Sequence, residues 1–363
     1  MKITAVCVDA RMLHASGIGT YLRQLLPLVV RAMDDVVFHL LGDSEALMAL
    51  KWQEMPNVRL VDCKAPIYSI QEQFELARKI PESTDLFWAP HYNIPVFYRG
   101  RLLVTVHDVF HLAMPEFVGG LHKRLYAKAM FGAVAKRADT VVCDSEFTAR
   151  ELARFTGVSE QKLRVIKLGI DSSWFAPVQA PSPHGKPFLL FVGNVKPHKN
   201  LVRLLDAFAS IAQVIPHDLI IVGKKEGFIT GDDAVQEKAV RLGDRVHFTG
   251  YIDDATLRQY FSHAAALVFP SLYEGFGLPP LEAMASGCPV IVSNAASLPE
   301  VCGDAAVYCD PYSSEDIAQK ILLVLRNEPL CSDLSRKGLE QARKFTWEAC
   351  AEETSRVIRG LLV

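Results

Sequence analysis

Two glutamates stand eight residues apart in the segment YEGFGLPPLEAMASG, which covers residues 273–287. Glu274 lies in a stretch too rich in glycine and proline for regular structure, whereas Glu282 lies in the first turns of a predicted helix. Carboxylates accept hydrogen bonds from adjacent sugar or ribose hydroxyls, and the N–H groups of such a loop suit phosphate or sugar oxygens. The helix dipole alone would also favour an acid at position 282. The backbone positions predicted to contribute are Gly275, Phe276, Gly277 and Leu278.

A basic loop follows a predicted strand in LFVGNVKPHKNLVRLL, which continues into a helix. Lys196, His198 and Lys199 place positive charge at this strand-to-helix turn, with Asn194 just before them. Such cations suit a diphosphate, although a solvated basic loop would have the same composition. The loop is not a P-loop, because G-x-x-x-x-G-K-[ST] is absent.

Gly17 and Gly19, in ASGIGTYLRQLL, are predicted to lie between the first strand and the first helix. Glycine lets backbone approach a ligand closely, and a helix N-terminus offers N–H groups to an anion. The third glycine of the dinucleotide fingerprint is missing, which argues against NAD. A plain tight turn is the alternative interpretation.

Histidines follow two other predicted strands of the first half. His107 and Asp108 end VTVHD, and His91 follows DLFW in the same way. A single histidine is often structural, but its position at the carboxyl end of a buried strand favours a role in a site.

The elements that must position these residues alternate between apolar strand-like runs and periodic helical segments. This alternation predicts parallel sheets covered by helices on both faces. It pauses once, in the proline-rich segment 176–187, which is typical of a linker. We therefore predict an α/β protein with two doubly wound, Rossmann-like domains, 1–175 and 188–345, that face a central cleft. The amphipathic segment 346–363 is expected to return to the first domain.

Composition limits the partners and the compartment. The net charge of −2 gives no reason to expect nucleic acid. No apolar stretch is long enough to span a bilayer, the N-terminus does not resemble a signal peptide, and the eight cysteines include no C-x-x-C pair. We expect a cytoplasmic protein. The segment 119–139 combines an apolar face with Lys123, Arg124 and Lys128, which predicts either peripheral contact with an anionic membrane or a solvated helix face.

Taken together, these segments resemble one family. YEGFGLPPLEAMASGCPVI is similar to the E-x7-E signature of retaining glycosyltransferases of family 4, which have the GT-B fold. VGNVKPHKNL, GYIDDATLRQYFSHAAALVFPS and SLPEVCGDAAVYCDP resemble the neighbouring family segments in the same order, and GIGTYLRQLL and VTVHDVFHL resemble the N-terminal domain. The resemblance covers nearly the whole chain.

The resemblance implies a nucleotide-sugar donor on the 188–345 side and an acceptor on the 1–175 side. It implies that Lys199 binds the donor diphosphate, Glu282 the ribose and Glu274 the transferred sugar. It further implies that Gly17 and Gly19 meet the diphosphate, and that His107 lies near sugar and phosphate. Many members carry an arginine where this chain has His198, so the positive charge on the leaving diphosphate is expected either to be lower or to depend on protonation of this histidine.

The expected reaction is transfer of a hexose, with mannose from GDP-mannose as the preferred donor, to a glycan or lipid-linked glycan. The base is expected to be bound partly by backbone near Gly250 and Tyr251, while His91 and Asp108 belong to the acceptor side. No metal and no cofactor are expected, because cations and helix N-termini can stabilise the departing diphosphate. Two alternatives remain: a nucleotide-sugar epimerase of the same fold, and a catalytically silent nucleotide-sugar-binding module.

Overall fold

The computed structural model describes residues 4–223 and 233–363 of the 363-residue chain. Those residues form two compact units, each built on its own parallel sheet. The first unit comprises Met1–Gly169 together with Thr346–Val363, and the second comprises Ile170–Phe345. The predicted class of two doubly wound α/β domains is confirmed.

The first unit contains a seven-stranded sheet in the order β3-β2-β1-β4-β5-β6-β7, with every neighbouring pair parallel. Its central strands are apolar on both faces and almost completely buried, as a parallel sheet between two helical layers requires. The strands are β1 (Ala5–Asp9), β2 (Val37–Gly42), β3 (Val58–Asp62), β4 (Leu86–Ala89), β5 (Arg101–Val106), β6 (Thr140–Cys143) and β7 (Leu163–Val165).

The helices of the first unit include the last one in the chain. They are α1 (Ser16–Ala32), α2 (Ser44–Ala49), α3 (Ile70–Lys79), α4 (Phe110–Ala113), α5 (Leu121–Arg137), α6 (Glu146–Thr156) and α14 (Trp347–Leu362). Helix α14 packs along α1, where Trp347 contacts Tyr21 with ring centroids 6.4 Å apart. Farther along, Arg359 forms an exposed ion pair with Asp35. The apolar face of α14 is thus buried against the first unit.

The second unit contains a six-stranded parallel sheet in the order β10-β9-β8-β11-β12-β13. Its strands are β8 (Phe188–Val192), β9 (Asp218–Val222), β10 (Val246–Gly250), β11 (Ala266–Phe269), β12 (Val290–Ser293) and β13 (Val307–Cys309). Its helices are α7 (Leu201–Ile211), α8 (Asp233–Leu242), α9 (Asp254–His263), α10 (Leu278–Ala285), α11 (Leu298–Cys302), α12 (Ser314–Leu325) and α13 (Glu328–Ala342). Phe191 and Phe208 lie fully buried in the core between β8 and α7.

Three details differ from the sequence-based expectations. The first unit ends at Gly169 rather than at 175, because Trp174 packs edge-on against Phe261 of α9 and Ile170 donates its N–H to the carbonyl of Phe345. Strand β7 was not predicted, since it has three residues and one of them is Arg164. Gly17 lies inside α1, which begins at Ser16, and not in a loop before it.

The helices of the described residues include none that is both long and apolar enough to cross a membrane.

Candidate active site

The carboxyl ends of β8 and β11 bring Lys199 and Glu274 together. Lys199 Nζ lies 2.6 Å from Glu274 Oε1, with both side chains largely buried. The order of strands reverses between β8 and β11, and open α/β sheets bind ligands at such a reversal. The structure therefore places two of the predicted donor-binding side chains in direct contact at the expected end of the sheet.

Asn200 fixes the geometry of this pair. Its backbone has φ of 61°, a left-handed conformation that asparagine tolerates better than most residues, and it caps α7. Its buried side-chain amide donates to the carbonyls of Pro270, at 2.9 Å, and Pro311, at 2.6 Å. A backbone bond from Leu272 to the carbonyl of His198 joins the same two loops. The loop of Lys199 is thereby fastened to the loop of Glu274.

The ammonium group of Lys199 is held as a fixed positive charge. It lies 5.1 Å from the ring centroid of Phe269, and Glu274 occupies its other side. A diphosphate arriving at this point would gain a charge-assisted hydrogen bond from Lys199. Glu274 could then release the lysine and accept hydrogen bonds from ligand hydroxyls.

Glu282 lies half-buried on α10, and its carboxylate has no hydrogen bond or ion pair within the described part of the chain. Burial, with a smaller contribution from the charge of Asp254, raises the pKa of Glu282 to about 8. A half-buried carboxylate without a partner has lost part of its hydration, and hydrogen bonds from a ligand would replace it. Glu282 is therefore suited to bind hydroxyl groups.

The backbone of the loop between the two glutamates is fixed by hydrogen bonds from Ser297. Ser297 donates to the carbonyl of Glu274 at 2.9 Å and is also 2.8 Å from the carbonyl of Phe276. The Phe276 ring is buried against Phe345, so only the backbone of Phe276 could reach a ligand. Gly277 has φ of 114°, and a Cβ there would lie 2.7 Å from Leu298. This position requires glycine, and it turns the chain into α10 with Leu278 as its first residue.

Glycines end the three neighbouring strands β8, β9 and β10. A Cβ on Gly223 would lie 2.1 Å from the carbonyl oxygen of Gly193, so these two backbones approach more closely than side chains allow. Gly250 has φ of 75° and open space where a Cβ would stand. Asn194 is half-buried and Tyr251 is 73% exposed beside these glycines. The carboxyl end of the sheet thus presents backbone and small groups to a ligand.

In the first unit, His107 forms a buried ion pair. Its Nδ1 lies 2.7 Å from Asp144 Oδ2, and its Nε2 lies 3.0 Å from the carbonyl oxygen of Pro90. A carboxylate and a carbonyl only accept, so both nitrogens donate and the ring is positively charged. Burial lowers the pKa of His107, but the charge and hydrogen bond of Asp144 outweigh it and raise the pKa above its usual value.

Two family models together cover most of the chain. The model "Glycosyl transferases group 1" matches residues 172–341, and the model "Glycosyltransferase Family 4" matches residues 15–174. The O-antigen chain mannosyltransferase B of Escherichia coli is 30% identical over 286 residues, which are 74% of this chain and 72% of that protein. The chain belongs to glycosyltransferase family 4.

Other relatives and structures agree with this assignment. O-antigen chain mannosyltransferase RfbU of Salmonella typhimurium is 31% identical over 61% of this chain and 59% of its own length. The serotype-specific mannosyltransferase WbdA of Escherichia coli is 28% identical over 71% of this chain but only 33% of its own length. Sucrose-phosphate synthase from Thermosynechococcus elongatus matches the fold with a TM-score of 0.79, at 22% identity and 99% coverage of both chains. The chain therefore has the GT-B fold and is a glycosyltransferase.

Three other predicted residues of this family-4 chain have clear local roles in the first unit. Asp108 accepts the N–H of Phe110, the first residue of α4, at 2.9 Å. His91 accepts the N–H of Asn93 at Nδ1 and lies 3.2 Å from the hydroxyl of Tyr68. Burial, together with positive charge at His107, His111 and Arg11, lowers the pKa of His91 to about 3, so His91 is neutral. Gly19 is buried in α1, where a Cβ would lie 2.4 Å from the carbonyl of Leu13.

A buried charge network at the carboxyl ends of β1 and β4 was not predicted from the sequence. Arg11 binds both Asp9, at 2.6 Å, and Glu72, at 2.5 Å. Glu72 also accepts from Asn93 and from the N–H of Tyr68, whose backbone has φ of 65°. Arg11 and Asp9 were visible as charges that interrupt the first apolar strand, whereas nothing local in the sequence connects them to Glu72.

Asp144 and Asn200 were missed as well. Asp144 ends the buried strand TVVC as His107 ends the strand before it, so the same reasoning could have found it. Asn200 is recognisable only once its left-handed backbone is known. A cavity of about 510 Å³ lies elsewhere in the first unit, lined by residues of β7 and α14, and contains none of the predicted site residues. Its position argues against a catalytic role.

Proposed function

We propose that this glycosyltransferase transfers mannose from GDP-mannose to a glycan or lipid-linked glycan, with retention of anomeric configuration and without a metal ion. The observation that carries the proposal is the fixed Lys199–Glu274 pair at the strand reversal, with the unpaired carboxylate of Glu282 on the following helix. The names of several relatives, which are mannosyltransferases, favour mannose over other hexoses.

In this proposal the second unit divides the donor among three side chains. Lys199 binds the diphosphate, because it is a fixed cation at the strand end. Glu282 binds the ribose, since two adjacent hydroxyls would satisfy its unpaired carboxylate. Glu274 accepts from the hydroxyls of the sugar once the diphosphate has taken its place beside Lys199. His198, Asn194, Gly250 and Tyr251 complete the proposed donor site.

The first unit supplies further groups in the same proposal. The N–H groups in the first turn of α1, at Gly17, have the polarity that an anion requires. The charged ring of His107 adds positive potential near the sugar and phosphate. His91 and Asp108 are assigned to the acceptor side.

The leaving diphosphate gains negative charge as the glycosidic bond breaks. Lys199 and helix N-termini can stabilise that charge directly, which is the role a divalent cation has in metal-dependent transferases. We name no protein nucleophile, because the proposed retention proceeds on one face of the sugar. Activity should therefore persist in EDTA, and loss of activity that Mg²⁺ or Mn²⁺ restores would contradict the metal-independent site.

A donor panel and a turnover assay test the function. GDP should raise the melting temperature more than UDP or ADP, since ligand at about 100 times its dissociation constant adds roughly 2.7 kcal/mol of stability. GDP-mannose should release GDP only when a glycan acceptor is present. Epimerised sugar without transfer would indicate the epimerase, binding without turnover would indicate the silent module, and a preference for UDP would overturn the choice of GDP-mannose.

Peripheral membrane contact through residues 119–139 is part of the proposal, because a lipid-linked acceptor would lie in the bilayer. On α5, Leu121 is 70% and Leu125 is 58% exposed, and Lys123, Arg124 and Lys128 are exposed beside them. Exposed leucines next to lysines are what an anionic lipid surface binds.

Sedimentation with phosphatidylglycerol liposomes tests this contact. The combined variant Lys123→Glu, Arg124→Glu and Lys128→Glu should sediment less than the parent. A matched variant with Lys51→Glu, Arg78→Glu and Lys79→Glu, which changes three exposed cations elsewhere in the first unit, should sediment like the parent. Equal sedimentation of all three proteins would leave only the solvated-face interpretation.

A further inference from the structure

A second cluster of polar side chains lies at the opposite end of the second sheet. His184 precedes β8, Asp218 is the first residue of β9 and His247 is the second residue of β10. Strands β8, β9 and β10 are adjacent and parallel, so these three residues meet at the amino end of the sheet. Four residues of β9 separate Asp218 from Gly223 of the candidate donor site, which places the two roughly 17 Å apart along the strand.

We propose that His184, Asp218 and His247 form a site for Zn²⁺ or a similar divalent transition metal. One ligand atom from each residue lies within 4.8 Å of the others. Two histidines and one carboxylate with an open fourth position are a common donor set for such metals, and imidazole selects them over Mg²⁺ or Ca²⁺.

The distances fit tetrahedral coordination. His184 Nε2 lies 2.8 Å and His247 Nε2 lies 3.4 Å from the same oxygen, Asp218 Oδ2. Ligand atoms about 2.05 Å from a tetrahedral Zn²⁺ are roughly 3.3 Å apart, so of these two contacts the one from His247 already has this spacing and the one from His184 has to open by about half an ångström. The two imidazole rings are 4.8 Å apart, centroid to centroid, and inclined by 58°, so they do not stack face to face.

An unsatisfied atom points to a ligand at this position. His247 Nε2 is buried but has no partner with hydrogen-bond geometry among residues 4–223 and 233–363. Buried polar atoms in proteins nearly always have a partner, and a metal ion would provide one here. Asp218 is 1% exposed, so its carboxylate is not simply a solvated surface acid.

Arg245 supports the carboxylate as the neighbours of metal ligands usually do. Its Nε donates to Asp218 Oδ1 at 2.9 Å, which leaves Oδ2 for the cluster. The rest of the guanidinium is fixed by the carbonyls of Ala212, Ile215 and His217. Lys186 lies 3.5 Å from Oδ2, but its side chain is 58% exposed and can move into solvent.

A bound metal would fasten the segment that precedes β8 to the sheet of the second unit. His184 belongs to the proline-rich segment 176–187, whereas Asp218 and His247 belong to strands. A structural metal here would therefore order the segment around His184 without taking part in turnover. The positive charges of Arg245 and Lys186 weaken the binding of a cation. We therefore expect a dissociation constant on the order of micromolar, so that a strong chelator removes the metal.

Metal content, measured on protein without a histidine tag, tests the proposal. After dialysis against ZnCl2 and removal of free metal, the parent should retain one equivalent of Zn²⁺, and the His184→Ala and His247→Ala variants should retain far less. His263→Ala is the matched control, because His263 is half-buried in the same unit and bonds to the carbonyl of Gln259. This control should bind zinc like the parent.

Two further measurements separate a built site from chance binding. Co²⁺ should give the intense visible absorption of a four-coordinate site in the parent and in His263→Ala, but not in His247→Ala. Zinc should slow hydrogen exchange in residues 182–187 and raise the melting temperature by a few degrees in the same two proteins. Equal zinc content in the parent and in a His184→Ala, His247→Ala double variant would overturn the proposal. GDP release by His247→Ala should be like that of the parent, so this test does not depend on the donor site.

Discussion

At the carboxyl end of the first sheet the charged side chains bind one another. At the corresponding end of the second sheet, β8, β9 and β10 end at or next to a glycine, and the carboxylate of Glu282 has no partner among the described residues. Arg11, by contrast, is paired with Asp9 and Glu72, and His107 is paired with Asp144. Both sheets are parallel and doubly wound, so the layer architecture does not cause the difference.

The comparison shows two ways to prepare a strand end for ligands. Paired charges fix the loops of the first unit before any ligand arrives, and breaking one pair leaves the other charge buried. The glycines and the unpaired carboxylate of Glu282 lower the stability of the second unit, but they leave backbone groups and one acceptor that a ligand can bind. We therefore expect mutations at the carboxyl end of the first sheet to affect folding, and mutations at the carboxyl end of the second sheet to affect ligand binding.

The largest effect is expected from His107→Gln. The variant removes the partner of the Asp144 carboxylate, which is 2% exposed, and this should lower the free energy of unfolding by about 3–5 kcal/mol. Urea denaturation measures the change. Asp144→Asn and the double variant complete a thermodynamic cycle, and additive effects of the two substitutions would show that the pair is not coupled.

The same pair should make stability depend on pH. The pKa of His107 is higher in the folded protein than in the unfolded chain, where it is about 6.5. Its contribution to the free energy of unfolding is therefore complete below about pH 6.5 and is lost as the pH rises through the folded pKa. The difference in stability between parent and His107→Gln should shrink over that range. A difference that grows with pH would contradict a charged ring.

Next in size is Lys199→Ala, which should weaken donor binding by about a hundredfold, or roughly 2.7 kcal/mol, with little change in melting temperature. The diphosphate loses its charge partner, while Glu274 becomes able to reach solvent. Calorimetry with GDP measures the affinity. Lys196→Ala removes an exposed lysine three residues earlier and should bind GDP nearly as the parent does. Equal losses in the two variants would mean that charge in general, and not Lys199, binds the diphosphate.

Glu282→Gln and Glu274→Gln should affect different properties, the first nucleotide affinity and the second the rate of transfer. The first should weaken free GDP and GDP-mannose alike, by about 1.5–3 kcal/mol or ten- to a hundredfold, because both carry the ribose. The second should leave GDP affinity almost unchanged and lower the transfer rate, because a misplaced sugar loses reaction geometry. Calorimetry and turnover on both variants decide the matter. If both variants weaken GDP equally, the two acids do not divide the donor.

Glu282→Gln should also flatten the pH dependence of stability in the ligand-free protein. The folded pKa of about 8 exceeds the unfolded value, so this group contributes most stability below about pH 4.3 and loses it as pH rises through 8. Thermal melts from pH 5 to 9 should fall more steeply for the parent than for the variant. Parallel curves would show that Glu282 is solvated and has no need of a ligand.

The smallest effect is expected at Gly17. A Cβ there meets nothing within 4 Å, so Gly17→Ala should keep or slightly raise stability, since alanine favours a helix. It should lower donor affinity by about tenfold or less if backbone at this position approaches the diphosphate. Gly19→Ala is the contrasting variant and should destabilise, because its Cβ would collide with the carbonyl of Leu13. Unchanged affinity in Gly17→Ala would remove this turn from the donor site.

The amino-acid sequence by itself determined the fold class. Runs such as FLLFV and TVVC are apolar on both faces, and they alternate with amphipathic segments, which is compatible with a buried parallel sheet and little else. Strand β7 escaped prediction because an edge strand of three residues with a central arginine carries too little of this pattern. The two glycines of α1 suggested a loop, but packing of the following leucines against the sheet extends the helix across them.

The sequence also determined which residue types stand at the strand ends, because hydrophobicity and glycine content are local properties. Which of them touch was decided by tertiary structure alone. Lys199 and Glu274 are separated by 75 residues, and only the adjacency of β8 and β11 brings them within 2.6 Å. The same holds for His107 with Asp144 and for Arg11 with Glu72. Strand order places such pairs side by side, and the low dielectric constant of the interior then strengthens the electrostatic attraction between the two side chains.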